Sequence, residues 1–226
     1  FITRLLREII ASPSAIETFG AESAYRALTH GLARLARVPL RAGLDAVRPW
    51  LHEKVALFVG DVLEYLDRRG DRLRPGRIVA VVADALREAD STRSNGDASL
   101  IVVAHSMGAN IVFDILTHFD TAICCDILIT VGSQVALFEE MKKFRGSDPT
   151  IPDTASARVS KPQNIGRWIN IFDPLDVLGF AAERVFCGVE DVTFMSSLSP
   201  LHAHGHYFYR PDFYRRIGAR LAEPPL

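Results

Sequence analysis

Leu100 to Ala104 is a short, β-branched apolar run, and a small-residue turn centred on Ser106 separates it from a helical stretch opening at Met107. A strand this continuously apolar has no solvent side, so it belongs in a parallel sheet covered by helices on both faces. Similar runs at 127–131, 167–172 and 192–195 alternate with helical stretches at 107–119, 134–144 and 211–222. Strand and helix in alternation predict an α/β fold with a mostly parallel sheet flanked by helices.

Upstream the pattern differs. Ile2, Leu5, Leu6, Ile9 and Ile10 recur at the spacing of one helix face, and 14–37, 50–68 and 75–90 continue the habit, broken at Pro39, Pro49, Gly70 and Pro75. The chain therefore has a helix-rich N-terminal portion without a convincing strand. Its 226 residues suit one domain, 1–226. The polar stretch 145–164 lacks periodicity and is long for a connection, which predicts a mobile loop or lid. No internal repeat or low-complexity tract interrupts the chain.

Charge and cysteine content narrow the partners. Lys plus Arg number 26 against 27 Asp plus Glu, a net charge of −1 that gives no electrostatic reason to expect nucleic acid. Three cysteines, two of them adjacent (Cys124, Cys125) and one distant (Cys187), form neither a disulfide framework nor a metal-binding spacing, which fits a reducing, cytoplasmic setting. No apolar run approaches the roughly 20 residues of a transmembrane helix, and no secretory leader pattern opens the chain. The expectation is a soluble protein. The chain starts at Phe1 without an initiator Met, which fits a fragment or a processed form whose N-terminal strands either precede Phe1 or are lost.

Ser106 carries the strongest chemical signal. In the sequence LeuIleValValAlaHisSerMetGlyAlaAsnIleVal (100–112) a serine follows a buried strand and precedes a helix, with Ala104 two residues before it and Gly108 two after. A sharp strand-to-helix turn forces the serine into a strained backbone conformation, and small flanks relieve the crowding. The opening helix aims free N–H groups at the same spot, so the Met107 amide is the expected oxyanion donor. A serine hydroxyl needs a base, and the base needs an orienting acid, in the order Ser, Asp or Glu, His. Downstream of 167–172 lie Asp173 and Asp176. Asp176 is the favoured acid, because two apolar residues after it can turn the chain back to the sheet; Asp173 is the alternative and otherwise fixes the loop. After the last strand come His202, His204 and His206. His204 is the expected base, with Gly205 allowing close backbone approach to the serine, while His202 and His206 read as structural. A zinc site on the three histidines is disfavoured by the loop setting, and no metal or other cofactor is implied. His30, His52 and His118 fall on predicted helices as surface or core residues.

These segments, with GlyAspValLeuGluTyrLeu (60–66), ThrValGlySerGlnValAlaLeuPhe (130–138), TrpIleAsnIlePheAspProLeuAsp (168–176) and HisAlaHisGlyHisTyrPhe (202–208), resemble the α/β-hydrolase superfamily, and more narrowly its bacterial lipase- and esterase-like serine hydrolases. The resemblance covers about 55–220. It implies Ser106 as nucleophile, an Asp of the 173–176 pair as acid, His204 as base, and hydrolysis of small-molecule or lipid esters. The chain departs from that pattern twice. No His-Gly loop supplying a second oxyanion amide lies between Phe1 and Leu100, and Gln134 stands where Gly-Ser-Pro is usual, a change expected to affect only the loop. The rival reading is a non-catalytic module of the same fold that binds a small molecule or a protein. Retention of all three residue types in order favours the enzyme.

Overall fold

The computed structural model of the chain describes residues 56–93, 99–151, 157–197 and 200–223. The chain divides into two compact units, Phe1–Leu57 and Phe58–Leu226. The helices predicted in 1–55, with His30, His52 and most of the region in which a His-Gly loop was sought, lie outside the described residues.

Four strands build the sheet of the second unit: β1 (Ile101–His105), β2 (Cys125–Val131), β4 (Ile165–Phe172) and β6 (Val189–Thr193). They lie in the order β1-β2-β4-β6, and every pairing is parallel. The fold is thus α/β with a parallel sheet, as the alternating runs predicted. Register fixes which side chains share a face: Ile129 pairs with Ile169 and Val131 with Ile171, so their side chains point one way while Leu128 and Trp168 point the other.

Each face has its own cover. Leu128 and Trp168 pack with Tyr65 of α1 (helical over 56–68), Val79, Ala83 and Leu86 of α2 (Arg77–Arg93), and Ala109, Val112 and Phe113 of α3 (Met107–Asp114). Opposite them, Ile129, Val131, Ile169 and Ile171 meet Phe194, Tyr207 and Phe213, the last on α6 (Pro211–Ala222). Covering both faces is what lets β2 be apolar throughout; β1, at the edge of this sheet, instead leaves Ile101 and Val103 exposed, against the expectation that this run has no solvent side. Full burial of a side chain as large as Leu128 or Ile169 contributes about 1.5–3 kcal/mol.

Asp114 ends α3 fully buried and accepts bonds from Tyr65 Oη (2.8 Å), Arg69 Nη1 (2.7 Å) and the Arg145 amide (3.0 Å). One carboxylate therefore ties α1 and the 145 region to the helix that follows Ser106. A single π-type turn, Ile115–Phe119, continues α3.

Several boundaries depart from the sequence expectation. β6 begins at Val189 rather than 192, because Arg167 of β4 pairs bidentately with Glu190 (Nε–Oε1 2.7 Å, Nη2–Oε2 2.9 Å), and polar residues hid the strand's start. It ends at Thr193, where the chain turns away to bring the Ser196 amide to Asp173. The helix predicted over 134–144 is α4, Val135–Glu140 only. It stops short of Lys142, whose φ of 51° is incompatible with a helix.

The predicted lid is also corrected in part. The Arg145 amide is bonded to Asp114, Ser147 Oγ donates to Glu139 (2.7 Å), and Val159–Ser160 (β3) pairs in parallel with Phe186–Cys187 (β5). Asn164 Nδ2 lies within bonding distance of the Leu116 and Ile123 carbonyls (3.0 and 2.8 Å). Side-chain bonds thus anchor both ends of a stretch that hydrophobic periodicity could not reveal; 152–156 lie outside the described residues.

Candidate active site

Parallel strands deliver their C-terminal ends to one edge, and the loops leaving that edge carry the candidate residues. Sheet bonding extends just past the strand ends: the Ser106 amide donates to Val131 O (3.0 Å), Gly132 to Ile171 O (2.8 Å) and Phe194 to Phe172 O (2.9 Å). The loops therefore start in register.

Ser106 joins β1 directly to α3 with φ 53° and ψ −130°. A non-glycine residue at such an angle stores about 1–3 kcal/mol of backbone strain. Its Oγ lies 2.7 Å from His204 Nε2. His204 Nδ1 in turn lies 2.9 Å from Asp176 Oδ2 and 3.1 Å from Oδ1. The Asp176 side chain is wholly buried, whereas that of His204 retains 27% of its exposure, so the base can meet solvent and its partner cannot. Since the carboxylate only accepts, Nδ1 carries the ring proton, and Nε2 is left to accept from the serine hydroxyl. Met107 opens α3, so its amide has no acceptor within the helix.

The two aspartates part company. Asp173, also wholly buried, accepts from the amides of Leu175 (2.8 Å) and Ser196 (2.6 Å) and lies 2.8 Å from Ser196 Oγ. It ties the loop after β4 to the segment after β6, whereas His204 Nδ1 pairs with Asp176. Asp176 comes at the end of the turn that its amide closes onto Asp173 O (2.9 Å), and its Oδ1 accepts from the Leu178 amide (2.9 Å).

The histidine segment is helical, not a loop. Pro200–His206 forms α5, where a leading Pro suits the first helical position. Side chains at 202 and 206 share a face, and their rings stack with centroids 5.1 Å apart; His204 turns elsewhere, toward Ser106 and Asp176. A Cβ at Gly205 would meet nothing within 4 Å, so close approach at that glycine is not what brings the base to the serine. The same holds at Gly108 outside its own helix. Crowding falls instead on Gly132, with φ 52°, where a Cβ would stand 2.9 Å from both Asp176 Oδ2 and the Tyr207 ring. Among the described residues no group of three or more His, Cys, Asp and Glu side chains is placed to hold a metal ion, and no helix is long and apolar enough to cross a membrane.

Three neighbours were not expected from the sequence to hold the site together. His105 Nε2 donates to the His204 carbonyl (2.9 Å), and the two rings lie 4.9 Å apart. Burial, reinforced by the neighbouring His204, pulls the His105 imidazole below its ordinary pKa and so favours its neutral form. Gln134, wholly buried, accepts from Asn110 Nδ2 (3.0 Å) and donates to Gly132 O (2.9 Å) and Leu178 O (2.5 Å). Gln134 thus binds α3 to both loops, a larger effect than the local one expected. Tyr207 donates from Oη to Asp176 Oδ2 (2.9 Å). Spacing could have suggested only His105, by its adjacency to Ser106.

The chain matches no protein-family model, no curated protein and no solved structure.

Proposed function

We propose that the chain is an α/β-hydrolase-like serine hydrolase that cleaves carboxylic esters through an acyl-enzyme on Ser106. The observation that carries this reading is the unbroken chain Ser106 Oγ, His204 Nε2, His204 Nδ1, Asp176 Oδ2, with links of 2.7 and 2.9 Å between groups from three separate segments of the chain. A strained serine at the head of that chain supports it further.

In this mechanism Ser106 Oγ attacks the ester carbonyl as its proton passes to His204 Nε2, and Asp176 stabilises the resulting imidazolium. The carbonyl oxygen becomes an oxyanion beside the Met107 N–H. Collapse breaks the bond to the alcohol, which leaves with the proton from Nε2. Water then adds to the acyl-enzyme, giving its proton to Nε2, and the second collapse returns that proton to Ser106 Oγ and frees the acid. Esters of small molecules or lipids are the substrate class, and no cofactor is needed. Three free thiols suit a reducing, cytoplasmic location.

The test is labelling of the full chain and of Ser106→Ala by a fluorophosphonate probe, with turnover of p-nitrophenyl esters of increasing chain length. Labelling and turnover present in the parent and absent from Ser106→Ala are expected. Equal labelling of the two proteins would show that Ser106 is not the activated serine, and no turnover by the parent would favour a binding module.

A further inference from the structure

Tyr207 is fully buried beneath the edge of the sheet where Asp176 and His204 meet, and its hydroxyl lies between two groups of fixed polarity. The Asp173 backbone amide, 2.8 Å away, can only donate; Asp176 Oδ2, 2.9 Å away, can only accept when ionised. The phenol must therefore accept from the first and give its proton to the second. Its orientation is settled by the chain on one side and directed at the carboxylate on the other.

Close packing holds this arrangement. A Cβ at Gly132 would stand 2.9 Å from Asp176 Oδ2 and from Tyr207 Cε2, and one at Gly179 would stand 2.8 Å from Oδ2 and 3.3 Å from Oη. Two bare stretches of backbone thus wall in the carboxylate and the phenol together. The ring is locked in turn by Phe194 and Phe213, with centroids 6.4 and 6.2 Å away.

We propose that Tyr207 is a positioning residue of the Ser106–His204–Asp176 constellation, whose hydroxyl fixes Asp176 Oδ2 and sets how strongly that carboxylate holds a proton on His204. The inference rests on the serine hydrolase reading. A carboxylate that shares its charge with a phenol O–H is a weaker partner for an imidazolium than one that does not. Burial first, and the charge of Asp176 second, hold the phenol far above its ordinary pKa, so it donates throughout the working range.

The groups facing His204 are Asp176 from the loop after β4, the Ser106 hydroxyl from the turn after β1, and the His105 ring. Those facing Tyr207 are Asp176, Asp173 through its amide and the charge of its carboxylate, and, 6.1 Å away, the His105 ring; the Asp173 carboxylate is bonded to Leu175 and Ser196 and Asp176 to His204. His105 is held toward its neutral form. Asp176 is thus the charged group through which Tyr207 acts on the base.

The test is an NMR titration of the His204 ring in the full chain, identified by its loss in His204→Gln, for the parent and for Tyr207→Phe. Removing the hydroxyl should raise the His204 pKa by about 0.5–1 unit and carry the acidic limb of fluorophosphonate labelling upward with it. A lower melting temperature with an unmoved titration would mean that Tyr207 only packs, and would overturn the proposal. If Tyr207→Phe does not fold, site-specific 3-fluorotyrosine at 207 preserves the ring with a stronger donor; the His204 pKa should then fall, and an unchanged value overturns the proposal equally. The titration needs no substrate. A parent protein that shifts as expected but takes no probe counts against hydrolysis and leaves the Tyr207–Asp176–His204 coupling intact.

Discussion

Replacing each of the two buried aspartates by Asn separates their roles, because Asn preserves shape while changing an acceptor into a donor. At Asp173 the new amide has to face donors: the Leu175 and Ser196 amides and the Ser196 hydroxyl lie within 2.6–2.8 Å of the present carboxylate. Hydrogen bonds to a charged group contribute about 1.5–3 kcal/mol each. Losing two of the three gives a destabilisation of about 3–6 kcal/mol, equivalent to about 6–24 °C in melting temperature for a chain of this size. That is well above the ~1 kcal/mol of a single exposed turn bond. At Asp176, by contrast, the Leu178 amide keeps its acceptor, and the new Nδ2 can donate to His204 Nδ1. The ring then carries its proton on Nε2 and cannot accept from Ser106. We expect Asp176→Asn to lose up to about 10⁴ in kcat, by analogy with the serine-protease triad, while losing the one bond that Tyr207 Oη donates to Oδ2 and so melting below the parent by less than Asp173→Asn does. Asp173→Asn should melt much earlier and retain turnover below its transition. Melting curves by circular dichroism and initial rates on a p-nitrophenyl ester measure both quantities. The reverse pattern would transfer the acid role to Asp173, and two fully active variants would refute the triad.

Gln134→Leu keeps the volume but strands Asn110 Nδ2 and the carbonyls of Gly132 and Leu178; a loss of about 2–4 kcal/mol is expected in denaturant titration, and an unchanged midpoint would show that these groups find other partners. Because burial holds the His105 pKa below its unfolded-state value, the unfolded chain binds the proton more readily, and stability should decline as pH falls below about 6.5 toward the folded-state value. His105→Gln, which can still donate to the His204 carbonyl, should flatten that part of the melting temperature against pH; an identical slope in both proteins would place its origin elsewhere. Burial pushes the Cys125 thiol up to about 12, while Cys124 is exposed. A disulfide reagent at pH 8 should therefore modify Cys124 in the native protein and Cys125 only on unfolding, as peptide mapping by mass spectrometry would report.

The sheet was legible wherever a strand was apolar throughout. Leu100–Ala104 and Ile127–Val131 advertise burial on both faces, and both are strands. Legibility failed where charge was neutralised by a partner far along the chain. Arg167 and Glu190 look like surface residues until β4 and β6 are side by side, and each then removes the reason to expose the other. The 145–164 stretch was misread for the same cause, since its anchors are Asp114 and Glu139, 31 and 8 residues from the groups they bind. The histidine helix escaped notice because HisAlaHisGlyHis contains neither an apolar stripe nor a strong helix former apart from Ala.

The candidate site was legible through its chemistry, because nucleophile, acid and base each demand a particular residue type, and few residues of those types lie in the right order. Nothing comparable marks the residues that hold them. Tyr207 follows His204 by three positions and reads as one more aromatic in TyrPheTyr, yet its hydroxyl reaches both aspartate positions of the loop after β4. Ser196 lies within bonding distance of both Asp173 Oδ2 (2.8 Å) and the Ala203 carbonyl (2.7 Å), one residue before the base. The contacts of Tyr207 and Ser196 with the two aspartates join the β4 loop to the chain after β6, which the parallel pairing of β4 with β6 brings within reach. The approach of Asp176 to His204 and the anchoring role of Asp173 are therefore consequences of one topology. The carboxylate nearer the strand end meets the Ser196 segment as it leaves β6, and the one a turn further on meets the helix that follows. A three-residue shift along the loop decides which aspartate reaches His204, and neither composition nor spacing encodes that shift before the strands are paired.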